Sequence, residues 1–498
     1  MERIGWTFAL PLAVLLLHAA TASGYGVFRD ELYYVACGHH LAWGYVDHPP
    51  MVAWIAALVR LTCGDSWIAL RLVAALAAAL TVLAVGSTAG LMGGGRWARL
   101  LAQLLAATAP IYLSLFSIYS MNALDVLVWA ALANLAARAL AGGDPALWLA
   151  FGAVAGVGLE TKVDVGLLGV GLGCGILVSR RELLRTRQLW FGAAIAAVMF
   201  LPHVAWQALH DWPTREFVAN AQRHKIAHVS PLGFVGAQLL LVGPVAAACA
   251  VAGWAWLFAT RAFRPLGGAA LAVLAVLIVS ISKPYYFSPV WTLLFPAAGV
   301  ALERWTAGRH APALRVVAAL AAASILVAAP LAKPLLSEDA YVRYAARLGV
   351  APGSDENQRL GRLPQFFADM HGWEALARSV GRVAAQLPPE DRAGACVYGQ
   401  NYGEAAAIDY YRERYDLPPA ISGHNSYWMW GPGDCSGEVV LILGGDPVDH
   451  RQHFASVEAG GLHRCTDCMP YEDELTIWVA RELTVPLSAA WNASKHYE

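Results

Sequence analysis

Residues 67–92, WIALRLVAALAAALTVLAVGSTAGLM, decide the fold. The run is apolar for longer than the roughly twenty residues a helix needs to cross a bilayer. Working outward, ten further apolar stretches fall at about 6–22, 99–116, 122–140, 145–160, 163–179, 189–208, 233–259, 266–282, 287–303 and 313–332. Together they predict a polytopic α-helical membrane protein with about eleven transmembrane helices. Of 498 residues, 58% are hydrophobic and only 14% charged, with a mean hydropathy of +0.48. A soluble domain is nearer one quarter charged. The net charge of −1 gives no reason to expect a nucleic-acid partner. The opening apolar run, 7–22, has the make-up of a signal peptide or of a first helix. So many later segments favour an uncleaved helix.

Arginines orient the chain. With the N-terminus in the cytoplasm, Arg96, Arg99, Arg138, Arg180, Arg181, Arg185, Arg187, Arg261, Arg264, Arg304, Arg309 and Arg315 all fall on inner loops. That is the positive-inside pattern. Eleven spans then leave everything from Lys333 onward outside, periplasmic in a Gram-negative cell. The predicted division is a membrane part over 1–332, with a first outer loop at 23–66, and a periplasmic α/β domain over 333–498. Within the tail, the pattern predicts helices over 373–387 and 402–415 and strands over 395–399, 439–445 and 475–480. The loop 422–433, SGHNSYWMWGPG, reads either as a sugar-contacting surface or as a packed interface. Cys174 and Cys249 fall inside helices, whereas Cys37, Cys63, Cys396, Cys435, Cys465 and Cys468 fall on the outer, oxidising side. The lone CxxC at 465–468 is expected to form a structural disulfide rather than a zinc site.

The same orientation sends the remaining polar residues to one outer level. The first loop carries FRDELYYVACGHHLAWGYVDHPP at 28–50, with Asp30, Glu31, Asp47 and His48 among Tyr33, Tyr34, Trp43 and Tyr45. Asp30 and Glu31 suit the positive end of a short helix, and Pro49-Pro50 ends regular structure. At the same level stand Asn122 and Asp125, then Glu160, Lys162 and Asp164, then Arg223-His224-Lys225, and finally Lys283-Pro284-Tyr285-Tyr286. Charges near the bilayer centre mark ion paths; charges gathered at one edge describe a cavity at the outer leaflet. Each residue also has a plainer reading. Asp30 caps a helix, Asp47 shapes a turn, Lys162 pairs with Asp125, Lys283 snorkels to headgroups, and the aromatics form an interfacial belt.

FRDELYY…GYVDHPP, SMNALD at 120–125, Lys162 and KPYY at 283–286 resemble the bacterial branch of the dolichyl-phosphate-mannose protein mannosyltransferase family. That family is related to the lipid A aminoarabinose transferases and belongs to the glycosyltransferase C superfamily. The likeness covers roughly residues 25–300. The tail, with QNYGEAAAIDYY and SGHNSYWMWGP, is similar to the C-terminal portion of a bacterial subgroup. The resemblance implies a membrane glycosyltransferase of the inner membrane. Its donor is a polyprenyl-phosphate-linked sugar, and its acceptor is a hydroxyl of a glycolipid, a glycan or a protein at the outer face. By that likeness Asp30 matches the catalytic acid and Asp47 the second acid, with Glu31 a further catalytic candidate beside them. Lys162, Lys283 and Tyr286 match positions that hold the carrier phosphate, and Asp125 an acid opening the fourth helix; His48 and Tyr45 are grouped with them. His48 stands where the aminoarabinose transferases carry a lysine and the protein mannosyltransferases a histidine, which leaves the donor sugar open.

The chemistry stands without the family. A sugar on a lipid phosphate already carries a leaving group, so the protein must deprotonate an acceptor hydroxyl and neutralise the departing phosphate. A positioned carboxylate base contributes about 10²–10⁴-fold, and lysines and tyrosine hydroxyls in a poorly solvated cavity supply the electrostatic part. The resemblance implies a single, inverting displacement, although paired acids also permit two successive ones. No metal site is assigned; a divalent ion acting through Asp47 stays open as a cofactor. The rival function is a lipid or sugar transporter or flippase, which calls for polar residues near the midplane and inverted repeats.

Overall fold

The computed structural model describes residues 2–307 and 311–498; Arg309 lies outside the described residues. Sixteen helices precede the tail: α1 Glu2–Ala20, α2 Arg29–His39, α3 Met51–Cys63, α4 Trp67–Leu91, α5 Arg96–Thr108, α6 Pro110–Leu115, α7 Met121–Leu140 and α8 Leu147–Leu159, followed by α9 Val165–Ser179, α10 Arg187–Leu209, α11 Pro213–Asn220, α12 Pro231–Val242, α13 Pro244–Ala259, α14 Arg264–Val279, α15 Trp291–Trp305 and α16 Ala311–Ala332. Every apolar stretch read from the sequence coincides with a helix or a broken one. Among the described residues, five helical stretches are long and apolar enough to cross a membrane: Trp67–Leu91, Met121–Leu140, Arg187–Leu209, Pro284–Trp305 and Pro312–Ala332. Two runs expected as single spans are each two helices. The 99–116 run breaks at Ala109, before Pro110. The 233–259 run bends by 114° where Gly243, at φ +83°, meets Pro244. A proline has no N–H to continue the ladder, and glycine alone takes that backbone angle without strain.

Small residues set how closely the helices pack. A Cβ built on Gly152 of α8 would lie 2.1 Å from the Gly192 carbonyl oxygen of α10. One on Gly299 of α15 would lie 2.2 Å from the Ala98 carbonyl of α5. Only glycine permits such backbone approach, which is how apolar helices associate where burial itself offers little driving force.

The tail builds a five-stranded sheet: β1 Ala395–Tyr398, β2 Ala420–Ile421, β3 Val439–Leu443, β4 Phe454–His463 and β5 Leu475–Leu483, in the order β2-β1-β3-β5-β4. β1 lies parallel to β2 and β3, while β5 runs antiparallel to β3 and β4. The expected helices and three expected strands are present, although the second helix breaks at Tyr411. β2 and β4 were not expected. β2 is two residues long, and β4 has a register shift at Ala459/Gly461 that blurs its alternation. One sheet face, with Val397, Leu441, Leu443 and Ile477, belongs to the same buried core as Tyr33, Tyr45 and Val52 of the first loop. The 422–433 loop lies in this interface: Trp430 stacks on His40 at 4.2 Å, and the Ser426 and Tyr33 hydroxyls are 2.8 Å apart.

The cysteine expectation needs correcting. Cys396 on β1 bonds Cys435, with Cα atoms 5.6 Å apart, within the usual disulfide range. Cys465 and Cys468 are free thiols, the Cys468 Sγ lying 3.1 Å from the Cys465 carbonyl oxygen. The sheet brings Cys396 to Cys435 across 39 residues, a pairing that spacing alone does not reveal.

Candidate active site

The site is built on the start of α2, and a buried ion pair holds that start in place. Arg71 of α4 donates from Nε to Glu31 Oε1 at 2.8 Å and from Nη2 to Oε2 at 2.7 Å. The same guanidinium donates to the carbonyls of Ala22 and Gly26, both at 2.7 Å. Glu31 also accepts the backbone N–H groups of Phe28 and Tyr119, each at 2.8 Å. Both side chains are fully buried. With four donors on its two oxygens, Glu31 anchors α1's exit, α2, α4 and the approach to α7 to one another. Satisfied bidentate geometry of this kind is what a buried charge pair requires.

Asp30, one residue earlier, points the other way and is 31% exposed. Its Oδ1 accepts the Tyr402 hydroxyl at 2.8 Å and lies 3.5 Å from Arg29 Nε. Asp47 accepts the Tyr33 hydroxyl at 2.9 Å, and burial lifts its carboxyl above the ordinary range. The Tyr33 and Tyr402 rings lie 4.6 Å apart, so the two acids hang from a single pair of packed tyrosines. Tyr402 comes from the tail. Arg29 is held from the tail as well: it donates to the Tyr471 hydroxyl at 3.0 Å and stands 3.7 Å from Asp369. Burial pushes the Asp369 carboxyl up to about 6, with Arg29 opposing the shift.

The cations expected around a phosphate occupy the other side. Lys162, in the turn between α8 and α9, lies 2.8 Å from Asp164 and 3.7 Å from Asp125, and 4.8 Å over the Tyr286 ring. Burial opposes the Lys162 charge, but Asp164, Asp125 and Tyr286 outweigh it and the ammonium titrates above its usual range. Asp125 is fully buried, and neither of its oxygens has a hydrogen-bond partner. Glu160 likewise has two buried, unpartnered oxygens, and burial lifts its carboxyl to about 7. Lys283, just before a 3-10 turn over Pro284–Val290, donates to Glu356 at 2.7 Å. Arg223 and His224 sit exposed in a π-turn, Ala221–Lys225, whereas Lys225 turns inward and reaches the Glu498 carbonyl at 3.3 Å.

Among the expected residues, Asp30, Asp47, Lys162, Lys283, Tyr286 and Asp125 thus stand among ionisable groups with solvent or unpartnered atoms nearby. His48 and Tyr45 do not. His48 is 1% exposed, its Nδ1 donating to the Pro49 carbonyl at 2.8 Å and its ring stacked on Tyr45 at 4.7 Å. The Tyr45 hydroxyl is spent on the Cys37 and His40 carbonyls, both at 3.0 Å. These bonds close on the loop itself, and His48 Nε2 stands 4.0 Å from Asp47. Sequence reasoning missed Arg29, Glu356, Asp369, Tyr402 and Tyr471. Arg29 and Tyr402 had a signal, in FRDELYY and QNYGEAAAIDYY.

Residues 47–206 match the family described as dolichyl-phosphate-mannose-protein mannosyltransferase. The lipid A galacturonosyltransferase RgtD of Rhizobium johnstonii is 28% identical over 233 residues, which is 44% of this chain and 47% of the relative. The chain therefore spans about half the length of the curated relative it matches. Among solved structures, ArnT from Cupriavidus metallidurans in its apo state aligns with a TM-score of 0.61 at 17% identity, over 96% of this chain and 98% of that one. Its complex with undecaprenyl phosphate aligns equally well, over 95% and 98%. At that identity the likeness is one of fold, and it runs through the tail as well as the helices. The family resemblance read from the sequence is borne out, with a match that begins at Asp47 and includes Asp125 and Lys162.

Proposed function

We propose that this chain is a membrane glycosyltransferase that moves a sugar from a polyprenyl phosphate to an acceptor hydroxyl. One observation carries the reading: two carboxylates of the first loop, Asp30 and Asp47, are held on one tyrosine pair. Asp30 is the general base. As the acceptor oxygen bonds to the anomeric carbon, its proton passes to Asp30 and the bond from that carbon to the phosphate oxygen breaks. Lys162 and Lys283 neutralise the departing phosphate, with Tyr286 beside Lys162. One displacement inverts the anomeric centre. Asp47 orients the donor. Glu31 is assigned to positioning, since four donors saturate its oxygens. Among the described residues no group of three or more His, Cys, Asp or Glu side chains is arranged for a metal ion. No step is routed through one.

The relatives narrow the substrates. The ArnT complex supports a polyprenyl-phosphate carrier, and lipid A, named in the curated relative, is the first acceptor to test. We place the protein in a bacterial inner membrane as a multi-pass chain of about eleven spans, with Asp30 and the tail on the periplasmic side. The arginine pattern supports that orientation. Labelling of single cysteines at Arg185 and Glu438 is expected to report opposite faces. The transporter reading draws on one feature, the 114° break between α12 and α13; the Gly243-Pro244 step accounts for it without a substrate site. Mass spectrometry of envelope glycolipids and periplasmic proteins, with and without the protein, tests the function. Loss of one glycosylated species is expected, and an unchanged envelope would count against it.

A further inference from the structure

A seat for a phosphate should offer cations without a partner, yet Lys283 already holds an anion. The Glu356 carboxylate accepts Lys283 Nζ at 2.7 Å through Oε1 and Gln365 Nε2 at 2.9 Å through Oε2. Burial works against its charge, but Lys283, Lys225 and Arg29 outweigh that and hold the carboxyl well below the usual range. Three cations from three separate segments thus act on one internal acid.

Glu356 sits on an irregular stretch, 350–362, that lacks a helix. This strap is clipped to the turn that carries Lys225. Asn357 N donates to the Lys225 carbonyl at 2.8 Å, Ala227 N to the Asp355 carbonyl at 3.0 Å, and Ile226 and Glu356 form an isolated antiparallel bridge. Asn357 Nδ2 adds a bond to the Ile226 carbonyl at 3.2 Å. The turn itself is a π-turn, a rare geometry that recurs at functional sites. The part of the strap around Glu356 is therefore held by a few backbone bonds and the Lys283 ion pair. Arg362 at its far end pairs with Asp339 and Asp467, and most of the stretch is exposed.

We propose that Glu356 is a built-in stand-in for the donor phosphate, occupying a seat at Lys283 beside the turn that carries Lys225, and leaving when the donor enters. The inference rests on the reading of Lys283 as a phosphate ligand. A carboxylate carries one negative charge, as does the phosphodiester of a polyprenyl-phosphate sugar. The exchange keeps the seat's charge balance constant and avoids an uncompensated cluster of buried cations. The same acid returns as the spent carrier departs, which favours product release. Glu356 becomes the group that sets carrier affinity.

The test is binding of undecaprenyl phosphate to the full chain in detergent, by native mass spectrometry, for the wild type, Glu356→Gln, Glu356→Asp and Lys283→Met. Glu356→Gln keeps the shape and removes the competing charge, so it is expected to bind the carrier at least about tenfold more tightly and to release it more slowly. Glu356→Asp retracts the charge and should fall between it and the wild type. It also serves if the Gln protein does not fold. Lys283→Met should weaken binding. Equal or weaker binding by Glu356→Gln and Glu356→Asp, with binding that still depends on Lys283, overturns the exchange and leaves the seat standing. Carrier binding indifferent to Lys283→Met overturns the seat, and the exchange with it.

Discussion

The hydroxyl of Tyr402 donates to Asp30 Oδ1 at 2.8 Å, joining residues 372 positions apart. The proposed base is therefore aimed by the tail. Tyr402→Phe keeps the ring that packs on Tyr33 and removes this bond alone. A hydrogen bond to a charged group is worth about 1.5–3 kcal/mol, so turnover is expected to fall by about tenfold or more with donor binding unchanged. Asp30→Asn should cost at least about a hundredfold. Near-normal turnover of Asp30→Asn in a detergent assay would remove Asp30 as the base.

Lys162 is expected to act on the donor. Lys162→Met keeps the bulk, strips the charge and leaves Asp125 and Asp164 facing each other without a cation. The KM for the polyprenyl-phosphate sugar should rise about tenfold or more, and thermal stability should fall as well. Donor kinetics unchanged in a folded variant would put the phosphate elsewhere.

Glu31→Gln separates structure from chemistry. It leaves the buried Arg71 guanidinium without a counter-charge, and breaking such a pair costs about 3–5 kcal/mol. The expected result is a lower melting temperature, with per-molecule turnover of the folded fraction close to wild type. A stable but inactive Glu31→Gln protein would return this residue to the catalytic group.

Glu472 makes stability depend on pH. Asn401 Nδ2 bridges its carboxyl and that of Glu404, at 2.8 and 3.1 Å. Burial lifts Glu472 from 4.5 to about 7. The native state therefore holds a proton that the unfolded chain has released between those values. The stabilising contribution is complete below pH 4.5 and is lost as pH rises through about 7. Glu404, bridged to it and likewise lifted by burial, shares this titration. Melting curves from pH 5 to 8 should show the wild type weakening across this window and Glu472→Gln, which mimics the protonated acid, changing less. Parallel curves would contradict the assignment.

The sequence by itself determined the helices and the level of the charges. Length and apolarity are local properties, and runs such as 67–92 or 122–140 have no other stable use than as helices in an apolar setting. The first-loop motif was legible too, because its acids, aromatics and prolines are contiguous. The breaks at Ala109 and Gly243 were also written locally, in Pro110 and in Gly243-Pro244, but the apolar count overrode them.

Tertiary structure decided which of those polar residues are tools and which are joints. Asp30 and Glu31 are adjacent and chemically alike. They part company because Glu31 meets Arg71, 40 residues away, while Asp30 meets Tyr402 from the tail. His48 and Tyr45 looked like ligands for a phosphate until their hydrogen bonds closed on their own loop. Glu356, in an unremarkable SDENQ, gained its place only by landing on Lys283. Hydrogen bonds and ion pairs are directional and work over about 3 Å. Their partners are fixed by how helices and sheet pack, a relation between distant segments that no local window of sequence contains.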